Sequence, residues 1–223
     1  MFSQVAAGYD RANNVLSAGI HHLWRRKLVK LSGVRPGSAV LDCATGTGDL
    51  AIEFKKAVGP EGTVLGTDFC PEMLETAPMK ARERGFDIRF EVADVTRLPY
   101  EDHRFDVASI SFGIRNVNDP VQALKEMARV TRPGGRVMVL EFGQVKAPVI
   151  GPLYNWYSET VLPKIGGLIT GQQQAYEYLQ KSSSAFPCRE DFLKLMDDSG
   201  AFADRRFTAL TGGIAYIYTG VVR

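Results

Sequence analysis

The chain has little of what would mark an exported, disulfide-built or nucleic-acid-binding protein. Only three cysteines, Cys43, Cys70 and Cys188, are spread through 223 residues. That excludes a disulfide framework, offers no zinc spacing and fits a reducing compartment. The three histidines, His21, His22 and His103, form no metal pattern in the sequence, so no metal is expected. Charge of one sign is also missing: 27 basic residues face 25 acidic ones, for a net charge of +2. No basic run carries interleaved aromatics, so nucleic acid is not an expected partner. The N-terminus lacks a charged-then-apolar signal segment, and a cytoplasmic location is expected. The most apolar late stretch, 147–170, is broken by Pro148, Pro152, Glu159, Pro163 and Lys164, which makes it a poor transmembrane span. Arg25, Arg26, Lys27 and Lys30 do cluster. They make either a solvated helix face or a contact for anionic lipid at the inner face of a membrane.

What remains is a chain 45% hydrophobic and 23% charged, which predicts one domain over 1–223 with a sizeable core. Strand-like runs at 38–44, 62–67, 88–93, 105–112 and 136–142 alternate with helix-like stretches at 48–58, 71–85 and 120–131. The run Phe105-Asp106-Val107-Ala108-Ser109-Ile110-Ser111-Phe112 is nearly continuous in apolar or small residues, as in strands buried on both faces of a parallel sheet. Alternation of this kind predicts an α/β fold, an open parallel sheet with right-handed crossovers. Gly134-Gly135 after Pro133 punctuates the last of these helices and starts the fifth strand. After a helix at 189–199, strands at 204–211 and 214–222 join through Gly212-Gly213. A two-residue connection signals a hairpin. A mostly parallel, Rossmann-like seven-stranded sheet ending in such a hairpin suits a class I methyltransferase better than a dinucleotide dehydrogenase. Residues 1–34 read as an N-terminal helical segment. Residues 144–185 form a helical insertion rich in aromatics, among them Tyr154, Trp156, Tyr157, Tyr176 and Tyr178.

The most specific local signal is the turn Ala44-Thr45-Gly46-Thr47-Gly48 after the first strand, with a carboxylate, Asp68, about 20 residues further on at the end of the second. Gly46 and Gly48 let the chain bend and bring backbone N–H groups close to a ligand. A pyrophosphate site would want G-x-G-x-x-G. Here Ala44 replaces the first glycine and no third follows, so S-adenosyl-L-methionine is favoured over a dinucleotide. Asp42 can help hold the positively charged methionine end, or it can bond its own turn. Asp68 is placed to accept both ribose hydroxyls, with helix capping as the alternative. Met73 packs on the adenine face or belongs to the core. Asp94 ends the third strand and can accept from the adenine amino group. Ser111 borders the same crevice, where strand carboxyl ends converge.

Tyr9-Asp10, Asn13, Leu16-Ser17, His21 and Trp24, then Ser111-Phe112-Gly113-Ile114-Arg115-Asn116-Val117, then Arg129-Val130, Pro133-Gly134-Gly135 and Leu140-Glu141-Phe142 make a spaced pattern. In it the chain resembles the ubiquinone/menaquinone C-methyltransferase family. Tyr178-Leu179, Ser182, Phe186-Pro187 and Leu210-Thr211-Gly212-Gly213-Ile214 continue it, so it covers nearly the whole chain. Ala12 stands where the family usually has Met and Gly143 where it has Ser, and Tyr216-Ile217-Tyr218 departs from a His-containing tail. The resemblance implies Thr47, Asp68, Asp94, Val95 and Ser111 as S-adenosylmethionine contacts, with S-adenosylhomocysteine as product. It also implies C-methylation of a polyprenylated quinol such as demethylmenaquinol, with peripheral membrane contact and a homodimer as further expectations.

That reaction needs a ring hydroxyl to lose its proton and a group to stabilise the developing phenolate. Arg115, always charged, suits the oxyanion, Asn116 the hydroxyl or a water, and Tyr9 the substrate. Each has a structural alternative: a salt bridge at the sheet end for Arg115, a helix cap for Asn116, packing for Tyr9. His21 and Glu141 are the weaker candidates for the proton acceptor. A small-molecule O- or N-methyltransferase, or a non-catalytic cofactor-binding scaffold of a quinone-synthesis complex, are the competing functions, because the cofactor fold alone does not identify an acceptor.

Overall fold

The computed structural model describes residues 17, 19–145 and 173–223. Tyr9, Ala12, Tyr154, Trp156 and Tyr157 lie outside the described residues, as does most of the 144–185 insertion. Helix α1 (Ile20–Ser32) precedes β1 (Ala39–Cys43), α2 (Asp49–Val58), β2 (Thr63–Asp68), α3 (Pro71–Leu74), α4 (Ala77–Glu83) and β3 (Arg89–Val92). Then come β4 (Phe105–Ser111), a 3₁₀ turn (Ile114–Asn116), α5 (Pro120–Val130), β5 (Thr131–Phe142), α6 (Gln173–Ala185), α7 (Glu190–Ser199), β6 (Phe202–Leu210) and β7 (Ala215–Val222). The seven strands form one sheet in the order β3-β2-β1-β4-β5-β7-β6. Pairing is parallel from β3 to β5, and β7 runs antiparallel to both β5 and β6.

Successive side chains of the central strands enter two different cores, which is why their sequences lack polar alternation. Leu41, Ala108, Ile110, Val137, Val139, Tyr216 and Tyr218 pack with Leu124 and Met127 of α5 and Phe192 and Met196 of α7. Val40, Val107, Met138, Leu140 and Ile217 pack on the other face with Trp24 and Leu28 of α1 and Leu50, Ile52 and Phe54 of α2. Burying each such large side chain contributes about 2 kcal/mol. Crossover helices on both faces free the carboxyl ends of β1 to β4 for a ligand.

Three expectations change in detail. The helix expected at 71–85 is two helices, because Pro78 in the first turn of α4 has no N–H to continue α3. The fifth strand begins at Thr131 rather than 136: Pro133-Gly134-Gly135 lie inside β5, where the register shifts between Phe105 and Val107 of β4. A bulge of this kind tolerates a proline that a regular ladder would not. The hairpin is present, yet its connection is longer than Gly212-Gly213. Leu210 pairs with Ala215 across a 3₁₀ turn, Thr211–Gly213, whose three residues have positive φ. Trp24 Nε1 donates to Thr211 Oγ1 at 2.9 Å, pinning that turn to α1.

Candidate active site

The loop after β1 turns through positive φ at Ala44 (48°), Gly46 (57°) and Gly48 (84°). Ala44 bears a Cβ in the left-handed region, at a cost of about 1 kcal/mol. Its smallness has a second reason. A Cβ added at Gly113, just past β4, would lie 2.5 Å from the Ala44 Cβ, so the two loops press together. Asp68 clamps the turn from the side: Gly46 N–H donates to Oδ2 at 2.9 Å and Cys70 N–H to Oδ1 at 3.0 Å. Burial pushes the Asp68 carboxyl above its ordinary value in spite of these bonds. Met73 is buried, with its Cε 3.4 Å from where a Gly46 Cβ would stand.

Ala93 N–H donates to the Asp68 carbonyl at 3.1 Å, bringing the end of β3 to the same place. Asp94 does not end the strand, which stops at Val92. It sits two residues beyond, exposed, where Oδ1 accepts from both the N–H and the hydroxyl of Thr96 at 2.8 Å. The short carboxylate has folded the chain into its own turn. Val95 is half-buried against the core.

Asp42 lies beneath the loop, 1% exposed, accepting from Thr45 Oγ1 at 2.6 Å and Ser109 Oγ at 2.7 Å. Burial raises its carboxyl to about 6, and the two hydroxyl bonds offset only part of that rise. It therefore bonds its own turn, the second of the two roles its position allowed. Ser111 Oγ is different: it is buried and has no hydrogen-bond partner among the described residues. Such an orphan costs about 1–3 kcal/mol. A polar ligand in this crevice would supply the missing bond, so the site fits an adenosyl cofactor on the molecule's own terms.

Sequence reasoning missed the support behind Thr47. Thr47 Oγ1 accepts from Lys80 Nζ at 3.1 Å, and Lys80 also pairs with Asp49 at 2.6 Å. Arg25 of α1 holds the same carboxylate at 2.9 Å. Burial alone would raise the Asp49 carboxyl, but Arg25 and Lys80 outweigh it and hold it low. The one local signal was an acidic residue in the first turn of a helix. Arg25 thus leaves the basic cluster, while Arg26, Lys27 and Lys30 are exposed. The rings of His21 and His22 lie 4.0 Å apart, tilted by 39°, and their nitrogens come within 4.8 Å of the Asp49 carboxylate, a grouping the sequence spacing does not reveal. The cations on Asp49 oppose a metal ion there. Phe69, which follows Asp68 directly, is 74% exposed.

On the far side, Phe112 leaves β4 with φ 56° while its N–H donates to the Leu140 carbonyl at 2.7 Å. This sharp exit places Arg115 beside β5. Arg115 Nη1 pairs with Glu141 Oε1 at 3.0 Å and Nε donates to Ser182 Oγ of α6 at 3.3 Å, with both partners of the ion pair nearly sealed from solvent. Nη1 also donates to the Phe112 carbonyl. The salt bridge at the sheet end is therefore real, and Nη2 makes no bond to the described residues. Glu141 is committed to Arg115 and to Phe142 N–H, at 2.9 Å. His21 Nδ1 is engaged with the Ser17 hydroxyl. Asn116 Oδ1 accepts from Tyr178 O–H at 3.2 Å. The cap of α5 is instead Asp119, whose Oδ1 accepts from Gln122 N–H at 2.9 Å.

Past β5, a Cβ on Gly143 would fall 2.2 Å from Tyr216 Cε2, so the ring occupies the space a side chain there would need. Arg189, before α7, has φ 58° and ψ −125°. That conformation costs a non-glycine residue on the order of 1–3 kcal/mol and persists only where its surroundings enforce it. Tyr218 Oη accepts from its N–H at 2.8 Å, and Tyr216 Oη from its Nε at 2.7 Å.

Sheet order, crevice and carboxylates together define a class I S-adenosylmethionine-dependent methyltransferase fold. A methyltransferase of this type from Thermotoga maritima, described as a possible histamine N-methyltransferase, superposes with TM-score 0.69 at 22% identity, covering 100% of this chain and 98% of that one. One from Aquifex aeolicus gives 0.65 at 19% identity, covering 89% of each chain. The chain itself belongs to the ubiE/COQ5 methyltransferase family, whose model matches residues 1–222, and is an S-adenosylmethionine-dependent C-methyltransferase. It is 72% identical over 223 residues to the ubiquinone/menaquinone biosynthesis C-methyltransferase UbiE of Bdellovibrio bacteriovorus, covering 100% of this chain and 94% of that protein. The protein of the same name from Hahella chejuensis is 41% identical, with 99% of this chain and 89% of that protein covered.

Proposed function

We propose that the protein C-methylates the ring of a polyprenylated quinol, with demethylmenaquinol as the acceptor. When bound, S-adenosylmethionine supplies a sulfonium methyl to the ring carbon. Asp68, exposed Phe69, Asp94, Val95 and Met73 would hold its adenosine part, and the Gly46–Gly48 turn with Thr47 its methionine part. Asp42 fixes that turn from below. The observation that carries the reading lies where β4 leaves the sheet: the buried Ser111 hydroxyl has no partner among the described residues, and four residues on stands Arg115, whose Nη2 bonds to no described residue.

Arg115, held rigid by Glu141, would stabilise the phenolate as the quinol hydroxyl gives up its proton. Asn116, bonded to Tyr178, would orient that hydroxyl, and Tyr9 would close over the ring. The 144–185 segment is the natural cover for the prenyl tail, and exposed Arg26, Lys27 and Lys30 suit peripheral contact with anionic lipid. No helix among the described residues is long and apolar enough to cross a membrane.

The test is mass spectrometry of products after incubation with matched demethylated naphthoquinols and benzoquinols. A singly methylated naphthoquinol as the main product is expected; methylation of the benzoquinol alone overturns the assignment. Liposome flotation at low salt checks the lipid contact, and absence of association would refute it.

A further inference from the structure

Arg115 is one of two arginines restrained in the same way on the same sheet face. Arg115 is held by Glu141 of β5, and Arg189 by Tyr216 of β7. Glu141 and Tyr216 are register partners in the antiparallel β5–β7 ladder, so their side chains leave the same face side by side. Each guanidinium is fixed through two of its three nitrogens. For Arg115 these are Nη1 and Nε; for Arg189 they are Nε, on Tyr216, and Nη2, on the Gln144 carbonyl at 3.0 Å. Arg115 Nη2 and Arg189 Nη1 bond to no described residue.

The restraint on Arg189 is built in at several levels. Its backbone is forced into a region that side-chain-bearing residues avoid, and Tyr218 Oη accepts its N–H there. Its guanidinium carbon lies 5.7 Å from the centre of the Tyr216 ring. That ring in turn requires glycine at 143, at the exit of β5. A helix start needs none of this. An arginine with one open nitrogen, pre-set by two phenols, is what binding a planar oxygen ligand calls for.

We propose that Arg189 is an acceptor-positioning residue that binds the second ring oxygen of the quinol, the one para to the oxygen beside Arg115. This rests on the proposed quinol acceptor and deepens it. A 1,4-quinol carries two oxygens on opposite sides of one ring, and two separately anchored cations, one held from the end of β5 and one from the start of β7, offer a partner for each. Arg115 faces the oxygen that becomes anionic. Arg189 fixes the ring's rotation, and thereby which carbon meets the methyl group. Gly143, Tyr216 and Tyr218 act through Arg189, which accounts for this chain carrying them together.

The test pairs enzyme variants with acceptors. Wild type, Arg189→Gln and Tyr216→Phe are assayed with a demethylated quinol and with a monophenol of the same ring and tail that lacks the second oxygen. Wild type should favour the quinol by about ten-fold or more in kcat/KM, the worth of one hydrogen bond to a charged group. Arg189→Gln should erase that preference while methylating the monophenol as wild type does, with cofactor affinity unchanged. Tyr216→Phe, which keeps the guanidinium but frees it, should lose part of the preference. If Arg189→Gln lowers both acceptors equally, or fails to fold while Tyr216→Phe keeps the full preference, the proposal is wrong. If wild type methylates neither acceptor, the quinol assignment itself fails, which is a separate outcome.

Discussion

The two halves of the crevice are built by different means. On the side proposed for the cofactor, at the ends of β1 to β3, short carboxylates and hydroxyls bond to backbone within a few residues or to the next strand: Asp68 to Gly46 and Cys70, Asp94 to Thr96, Asp42 to Thr45 and Ser109. On the side proposed for the acceptor, at the ends of β4 and β5 and the start of β7, long cationic side chains are held by partners distant in sequence: Arg115 by Glu141 and Ser182, Arg189 by Tyr216. The first design fixes a loop's shape. The second fixes charges, and the price is that each charge depends on its partner being present.

The largest break in that comparison should come from Arg115→Ala. It would strand the Glu141 carboxylate at 1% exposure, costing about 3–5 kcal/mol of stability, and should lower turnover about 10²–10³-fold. A double variant with Glu141→Leu should recover most of the stability in denaturant titrations and none of the turnover. Recovery of turnover would show the pair to be purely structural.

Asp42 should come next, and with a pH signature. Its folded-state value of about 6 lies above the 3.8 of a free carboxyl. Folding is therefore favoured while the group is protonated, and that stability is lost as pH rises from about 4 through 6. Relative to wild type, Asp42→Asn should gain up to roughly 3 kcal/mol between those limits, read from unfolding free energies across the series. A flat difference would mean that Asp42 is not buried as described.

Asp68→Ala should weaken S-adenosylmethionine binding about 30- to 100-fold by calorimetry and leave the acceptor KM within a factor of about two. The glycine pair should give the smallest effects and the clearest division. Gly113→Ala drives a Cβ into Ala44, and Gly143→Ala drives one into Tyr216. Each should cost about 1–3 kcal/mol. The first should impair cofactor affinity and the second acceptor kinetics. If both impair the same ligand, the division between the halves collapses.

The same contrast explains what could be read from the chain alone. The strands were legible because both faces of the sheet are covered, so runs such as 105–112 lose their polar alternation. The turn after β1 was legible because its chemistry is local: Ala44, Gly46, Gly48 and Asp68 announce a turn and a strand-end carboxylate. Arg115 was visible only through resemblance, with a salt bridge at the sheet end as its alternative, and that Glu141 is the partner was not legible, since 26 residues and a strand crossing separate them. Arg25, Lys80 and Asp49 meet from three different helices, and no spacing encodes that. Arg189 drew no notice because its backbone strain and its two phenols exist only in the folded molecule.

The most direct test of the whole account uses cofactor labelled with carbon-13 at the methyl group and demethylmenaquinol as acceptor, with the product read by NMR. The account predicts label bonded to a ring carbon, with both quinol hydroxyls intact. Label found as a methyl ether, or no transfer to the quinol at all, would contradict it.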